Sequence, residues 1–116
     1  MFQSKGFLQM NDEQLQVVMG LIMNAGNAKG EAVAALAAAK ENNFSEAEEK
    51  MKAANEALVE AHNTQTGLLT AEASGNNSEV SLLMVHSQDH LMNAISYLGL
   101  TQELIEMYQR LAAVEK

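Results

Sequence analysis

The sequence predicts an all-α fold: an antiparallel up-down-up bundle of three long helices. Three observations predict it. Proline is absent from all 116 residues, so nothing in the chain forces a helix to break. Apolar residues recur at helical spacing through three long segments. Two short runs rich in Asn and Gly, Glu41-Asn42-Asn43-Phe44 and Gly75-Asn76-Asn77, separate those segments. Links this short place consecutive helices side by side and antiparallel.

Met1 to Asn11 read as an N-terminal tail of mixed character, expected to be poorly ordered, and residues 12–116 as a single bundle domain. Asn11 or Asp12 can cap the first helix, and Asp12 and Glu13 suit its positive end. This helix is expected to run to about Glu41. Leu15, Val18, Ile22, Ala25, Val33 and Leu36 mark its buried side. Its middle is crowded with small residues. Gly26 and Gly30 each cost about 1 kcal/mol against Ala, so a close helix approach is expected there.

Ser45 and Glu48 have the spacing of a capping box, with Phe44 as its hydrophobic staple. The second helix is expected to reach about Ser74, with a seam of Ala47, Met51, Ala54, Leu58, Ala61, Gln65 and Leu68. Ser78 is the expected cap of the third helix, which runs to about Val114.

The third helix carries the chemistry. His86, Asp89, His90 and Asn93 share one of its faces. That face extends into a seam of Leu82, His86, Asp89, Asn93, Ser96, Leu100, Leu104, Met107, Leu111 and Val114, polar in the middle and apolar at both ends. Met84, Leu91, Ile95, Leu98 and Ile105 form a second apolar face, so this helix is expected to have neighbours on two sides. Equal distance from the second turn sets Gln65 level with Gln88. A mid-height cluster of His86, Asp89, Gln65 and Asn24 is therefore expected.

Composition removes several function classes. There is no Cys, hence no disulfide framework, no thiolate metal site and no thiol nucleophile. The formal charge of −8 disfavours nucleic acid and suits either a basic protein partner or simple solubility. No apolar run reaches the roughly 18 residues of a membrane span, and no secretory signal is visible, so a cytoplasmic protein without direct membrane insertion is expected. Gly-rich phosphate loops and Ser/His/Asp arrangements are missing. Three readings of His86 stay open on the residues alone. Its imidazole can act as a nucleophile for a phosphoryl group, aided by a third helix whose only cations are the distant Arg110 and Lys116. With His90 and Asp89 it can bind a transition metal. Or the His/Asp/Asn patch is structural, fixing helix register in a non-catalytic adaptor. His62, among polar neighbours, reads as a surface histidine.

The run MVHSQDHLM, with EAHNTQTGLL upstream and GLIMNAGNAKGEA near the start, resembles the enzyme IIA component of the lactose/cellobiose (N,N'-diacetylchitobiose) family. That family serves the bacterial phosphoenolpyruvate-dependent sugar phosphotransferase system. The resemblance spans roughly Leu15 to Leu111, and His-x-Gln-Asp-His-Leu-Met is its most specific part. It implies a cytoplasmic homotrimer of three-helix bundles. It implies that His86 receives a phosphoryl group on Nε2 from the histidine phosphocarrier protein. The group then passes to a cysteine of the IIB subunit, driving uptake of a β-disaccharide. It further implies that Asp89 lies near the trimer axis and shares a structural Mg²⁺ with its symmetry mates. Gln65, His90 and Asn93 are the candidate supporting residues. Ser87 stands where Ala is expected in many relatives, and Ser is small enough to leave the activity in place.

Overall fold

The computed structural model describes residues 11–76 and 79–115. Three helices follow one another: α1 (Asp12–Lys40), α2 (Phe44–Ala73) and α3 (Leu82–Val114). The tail residues 1–10 and the expected cap Ser78 lie outside the described residues.

Each helix starts and stops for a local reason. Asn11 forms a reciprocal capping box with Gln14: its side chain accepts the Gln14 N–H at 2.7 Å, and its own N–H donates to the Gln14 side chain. At the far end Asn42 takes a left-handed conformation, φ 62°. The N–H groups of Asn42 and Asn43 then close back onto the Ala39 and Ala38 carbonyls. Gly75, φ 94°, ends α2 in the same way, with its N–H and that of Asn76 on the Glu72 and Ala71 carbonyls. Both ends are Schellman motifs, one built on Asn and one on Gly.

Two expected helix starts are corrected. Helix α2 begins at Phe44, so Ser45 is already inside it and no Ser45–Glu48 box forms. The first-turn side-chain bond instead joins Asn43 Nδ2 to Glu46 Oε1 at 2.9 Å. Helix α3 begins at Leu82, and the cap is Ser81, whose Oγ accepts the Met84 N–H at 3.1 Å. Ser81 directly precedes the apolar run, so its cap lets the helix start where burial starts.

The core is a set of three interlocked heptad stripes. Val18, Leu21, Ala25, Ala28, Ala32, Ala35 and Ala39 are buried on α1 in alternating steps of three and four. Ala47, Met51, Ala54 and Ala61 continue the pattern on α2, with Leu58, Gln65 and Leu68 half-buried. On α3 the buried residues are Ser87, Leu91, Ala94, Leu98, Thr101 and Ile105. Such 3-4 spacing keeps one seam facing the partner helices along the whole bundle. Helix α1 packs extensively on both others, while α2 and α3 meet far less. Val33, expected inside, is exposed because it falls between the stripe positions Ala32 and Ala35. Gly26 and Gly30 also lie off the stripe. Nothing stands within 4 Å of a Cβ built on either, so the close approach within the chain falls to Ala25, Ala28 and Ala32 instead.

Candidate functional site

The site face of α3 lies outside this core. His86, Asp89, Asn93 and Ser96 are exposed and His90 is half-buried. The apolar members of the same stripe are exposed too: Leu82 at 86%, Leu100 at 66% and Met107 at 63%, with Leu104, Leu111 and Val114 alongside. Thus the stripe expected to be a packing seam is not packed within one chain. The second apolar face takes that role through Leu91, Leu98 and Ile105. The physical reason is volume. The partners on α1 and α2 are mostly alanines, and the branched side chains of Leu91, Leu98 and Ile105 fill what the alanines leave.

Helix geometry brings four of the candidate residues together. His86 and His90, one turn apart, meet directly: their Nε2 atoms are 3.1 Å apart, and their rings meet edge to face at 87° with centroids 4.5 Å apart. Asp89 and Asn93 flank them on the same face. Gln65 is not brought to them. Its Nε2 donates to Gln88 Oε1 at 2.8 Å, within a groove also lined by Leu68 and Met84. The level was therefore read correctly, but the side was not. Gln88 is two residues from His86, about 200° around the helix, so Gln65 sits against the opposite flank of α3. Asn24 is half-buried on α1 and makes no side-chain hydrogen bond to His86 or Asp89 among the described residues.

The inward orientation of two side chains in the motif does not follow from the sequence pattern. Ser87 is fully buried, and its Oγ donates to the Met84 carbonyl at 2.6 Å. Gln88 Nε2 lies 3.4 Å from that Oγ and 3.7 Å from Met84 Sδ. A run of polar letters hides this, because only the rotation of the helix reveals which of them turn inward.

The electrostatics of the face are spare. Its charged group is the Asp89 carboxylate, and no Lys or Arg among the described residues pairs with it; the described ion pair is Lys50–Glu31, 3.7 Å apart on α2 and α1. Among the described residues of one chain, no group of three His, Cys, Asp or Glu side chains is placed to hold a metal. The transition-metal reading therefore has two imidazoles but no third ligand. A hard cation such as Mg²⁺ takes about six oxygens, and one Asp89 supplies two at most. The donor chemistry fits Mg²⁺ only if several copies of Asp89 meet. Its place in the exposed stripe is compatible with that.

The chain as a whole has counterparts among known proteins. Residues 16–109 match the family model described as PTS system, Lactose/Cellobiose specific IIA subunit. The chain belongs to this family. A cellobiose-specific EIIA component from Lactococcus lactis is 50% identical over 105 residues, covering 90% of each chain. Among solved structures, the cellobiose-specific enzyme IIA from Bacillus anthracis superposes with a TM-score of 0.85 at 45% identity, over 90% of this chain and 94% of that one. The IIA of the Escherichia coli N,N'-diacetylchitobiose branch, solved in complex with HPr, gives 0.73 at 43% identity, over 84% and 94% of the two chains. The chain is thus a IIA component of the phosphotransferase system, a family of phosphotransferase components with the three-helix architecture described above. No helix among the described residues is long and apolar enough to cross a membrane.

Proposed function

We propose that the protein is the cytoplasmic phosphocarrier of a β-disaccharide uptake system, with His86 as the covalent carrier. The phosphoryl group arrives on His86 Nε2 from the histidine phosphocarrier protein. It leaves for the cysteine of the IIB subunit, and the sugar is of cellobiose, chitobiose or lactose type. The observation that carries this reading is the exposed His86, ringed by Asp89, His90 and Asn93, in a chain of this family. Exposure lets a partner's phosphoryl group reach the ring in line. No Lys or Arg among the described residues pairs with this face, an arrangement suited to a phosphoryl group that must be passed on. On the flank of α3 beside the stripe, exposed Val85 and Met92 offer a dock for the apolar part of a partner surface. The Escherichia coli relative solved with HPr supports that choice of partner.

The subunit acts as a homotrimer built along the exposed stripe of α3. An apolar band of this length on one helix is more than a lone soluble domain leaves wet, and three copies cover it by facing one another. Asp89 of each subunit then converges on the axis. A shared Mg²⁺ supplies charge neutralisation there, and its role is structural. His90 and Asn93 support His86 from the same face. Gln65 supports the site only through the opposite flank of α3, by way of Gln88.

Phosphoenolpyruvate-driven ³²P transfer with the general phosphotransferase proteins tests the reading. The parent protein and His62→Ala should take up acid-labile, base-stable label, and His86→Ala should take up none. Full labelling of His86→Ala would sink the assignment. No labelling of the folded parent would leave the adaptor reading in its place.

A further inference from the structure

We infer that His90 is a positioning residue that selects the reactive tautomer of His86. The inference rests on the reading of His86 as the phosphoryl acceptor. The Nε2 atoms of the two rings are 3.1 Å apart. Two N–H groups pointed at each other at that distance repel, and so do two lone pairs. One ring therefore donates and the other accepts. A nucleophile at Nε2 must present its lone pair there, with its ring proton on Nδ1. In the reactive arrangement the donor is His90, through its Nε2–H, and the acceptor is His86.

Among the described residues of one chain, nothing else sets this choice. No other hydrogen bond reaches either nitrogen of His86 among the described residues. In many histidine sites a carboxylate or carbonyl fixes the tautomer by binding the far nitrogen. Here the far nitrogen has no such partner, and the near one is fixed by a neighbour one turn along. His90 is suited to the task because it is half-buried while His86 is exposed. The burial restrains the ring that orients, and the exposed ring stays open to the partner.

The same N–H serves after transfer. The donor's N–P bond breaks, and its electron pair stays on the donor ring nitrogen. The His90 N–H swings off Nε2 as phosphorus approaches, and the freed Nε2 lone pair of His86 forms the new N–P bond. His86 keeps its Nδ1 proton and takes on the positive charge that the donor ring loses, so no proton is released. His90 Nε2–H, displaced from the nitrogen, then faces a phosphoryl oxygen and donates to it as a charge-assisted hydrogen bond. A single donor of this kind steadies the group without the grip of a Lys or Arg.

Nitrogen-15 NMR of the histidine-labelled protein, read at neutral pH without phosphoryl donor, tests the tautomer directly. The parent should show a protonated Nδ1 and a bare Nε2 on His86. His90→Phe keeps a ring but removes the donor, and should move the His86 proton toward Nε2. His90→Gln places an amide N–H near the same point and should restore the parent pattern. The phosphoryl-transfer rate should follow. For His90→Phe, kcat should fall about tenfold or more with little change in KM for the phosphocarrier, and for His90→Gln it should recover most of that loss. A proton on Nε2 of His86 in the parent overturns the inference without any variant. So does an unchanged tautomer in His90→Phe. Labelling of a residue other than His86 would instead remove the acceptor reading, and the tautomer measurement would stand apart from it.

Discussion

Helix α3 has two long apolar faces that meet different surroundings. Leu91, Leu98 and Ile105 are buried against α1 and α2. Leu100, Leu104, Met107 and Leu111, on the other face, are exposed in the single chain. Both faces repeat in steps of three and four, and both are rich in Leu. What separates them is the middle. The buried face carries Ser87, which returns its hydroxyl to its own helix. The exposed face carries His86, Asp89, His90 and Asn93; apart from the contact between the two imidazoles, their side-chain polar atoms meet no partner among the described residues. One face completes the fold, and the other is incomplete until something binds it.

Three variants, one of them double, sharpen or break this comparison. The largest effect is expected on the exposed face. Leu104→Glu together with Met107→Glu places like charges where copies of the chain are proposed to meet. Light scattering should fall from about three times 12.6 kDa to a single chain, with helical circular dichroism retained. An unchanged mass would show that this face is not where copies join. Next comes the buried face. Leu91→Ala should cost about 2–5 kcal/mol in denaturant unfolding, because the alanines around it cannot expand into the cavity. A loss under about 1 kcal/mol would mean the two faces are less different than their burial says. The smallest effect belongs to Asp89. Carboxylates brought together at an axis repel, and a bound cation offsets that. The thermal midpoint at neutral pH should be lower in chelator than in millimolar Mg²⁺, and Asp89→Leu should erase the difference. Equal midpoints for the parent with and without metal would place Asp89 away from any shared ion.

The heptads, the two turns and the shared face of His86, Asp89, His90 and Asn93 were legible because each follows from spacing along one helix. The Asn42 and Gly75 turns were legible because few residues tolerate a left-handed backbone. Rotation was not legible. Helix α3 has two apolar faces, and spacing alone does not say which one meets α1 and α2. That one ambiguity put Gln65 beside His86 when its partner is Gln88, and it hid the burial of Ser87. Two of the three expected caps were misplaced for a smaller reason. Ser78 and Ser81 are equally good capping letters, as are Asn43 and Ser45, and the choice depends on where tertiary burial begins.

Ten of the sixteen buried apolar residues among those described are alanines, most of them on α1. A methyl group is the least a side chain can contribute short of glycine, so there is little left to delete. Trimming one to Gly costs chiefly helix propensity, about 1 kcal/mol. Enlarging one is different. At Ala28, Ala32 or Ala35 a Leu or Phe has no unfilled volume to enter and must push two helix axes apart, at a cost of about 1–3 kcal/mol or more. The bundle is therefore lopsided toward substitution: forgiving of loss, strict about gain. Only very small side chains fit at these positions without strain, and their smallness keeps the helices close enough to hold α3, and the histidines on its outer face, in a fixed orientation.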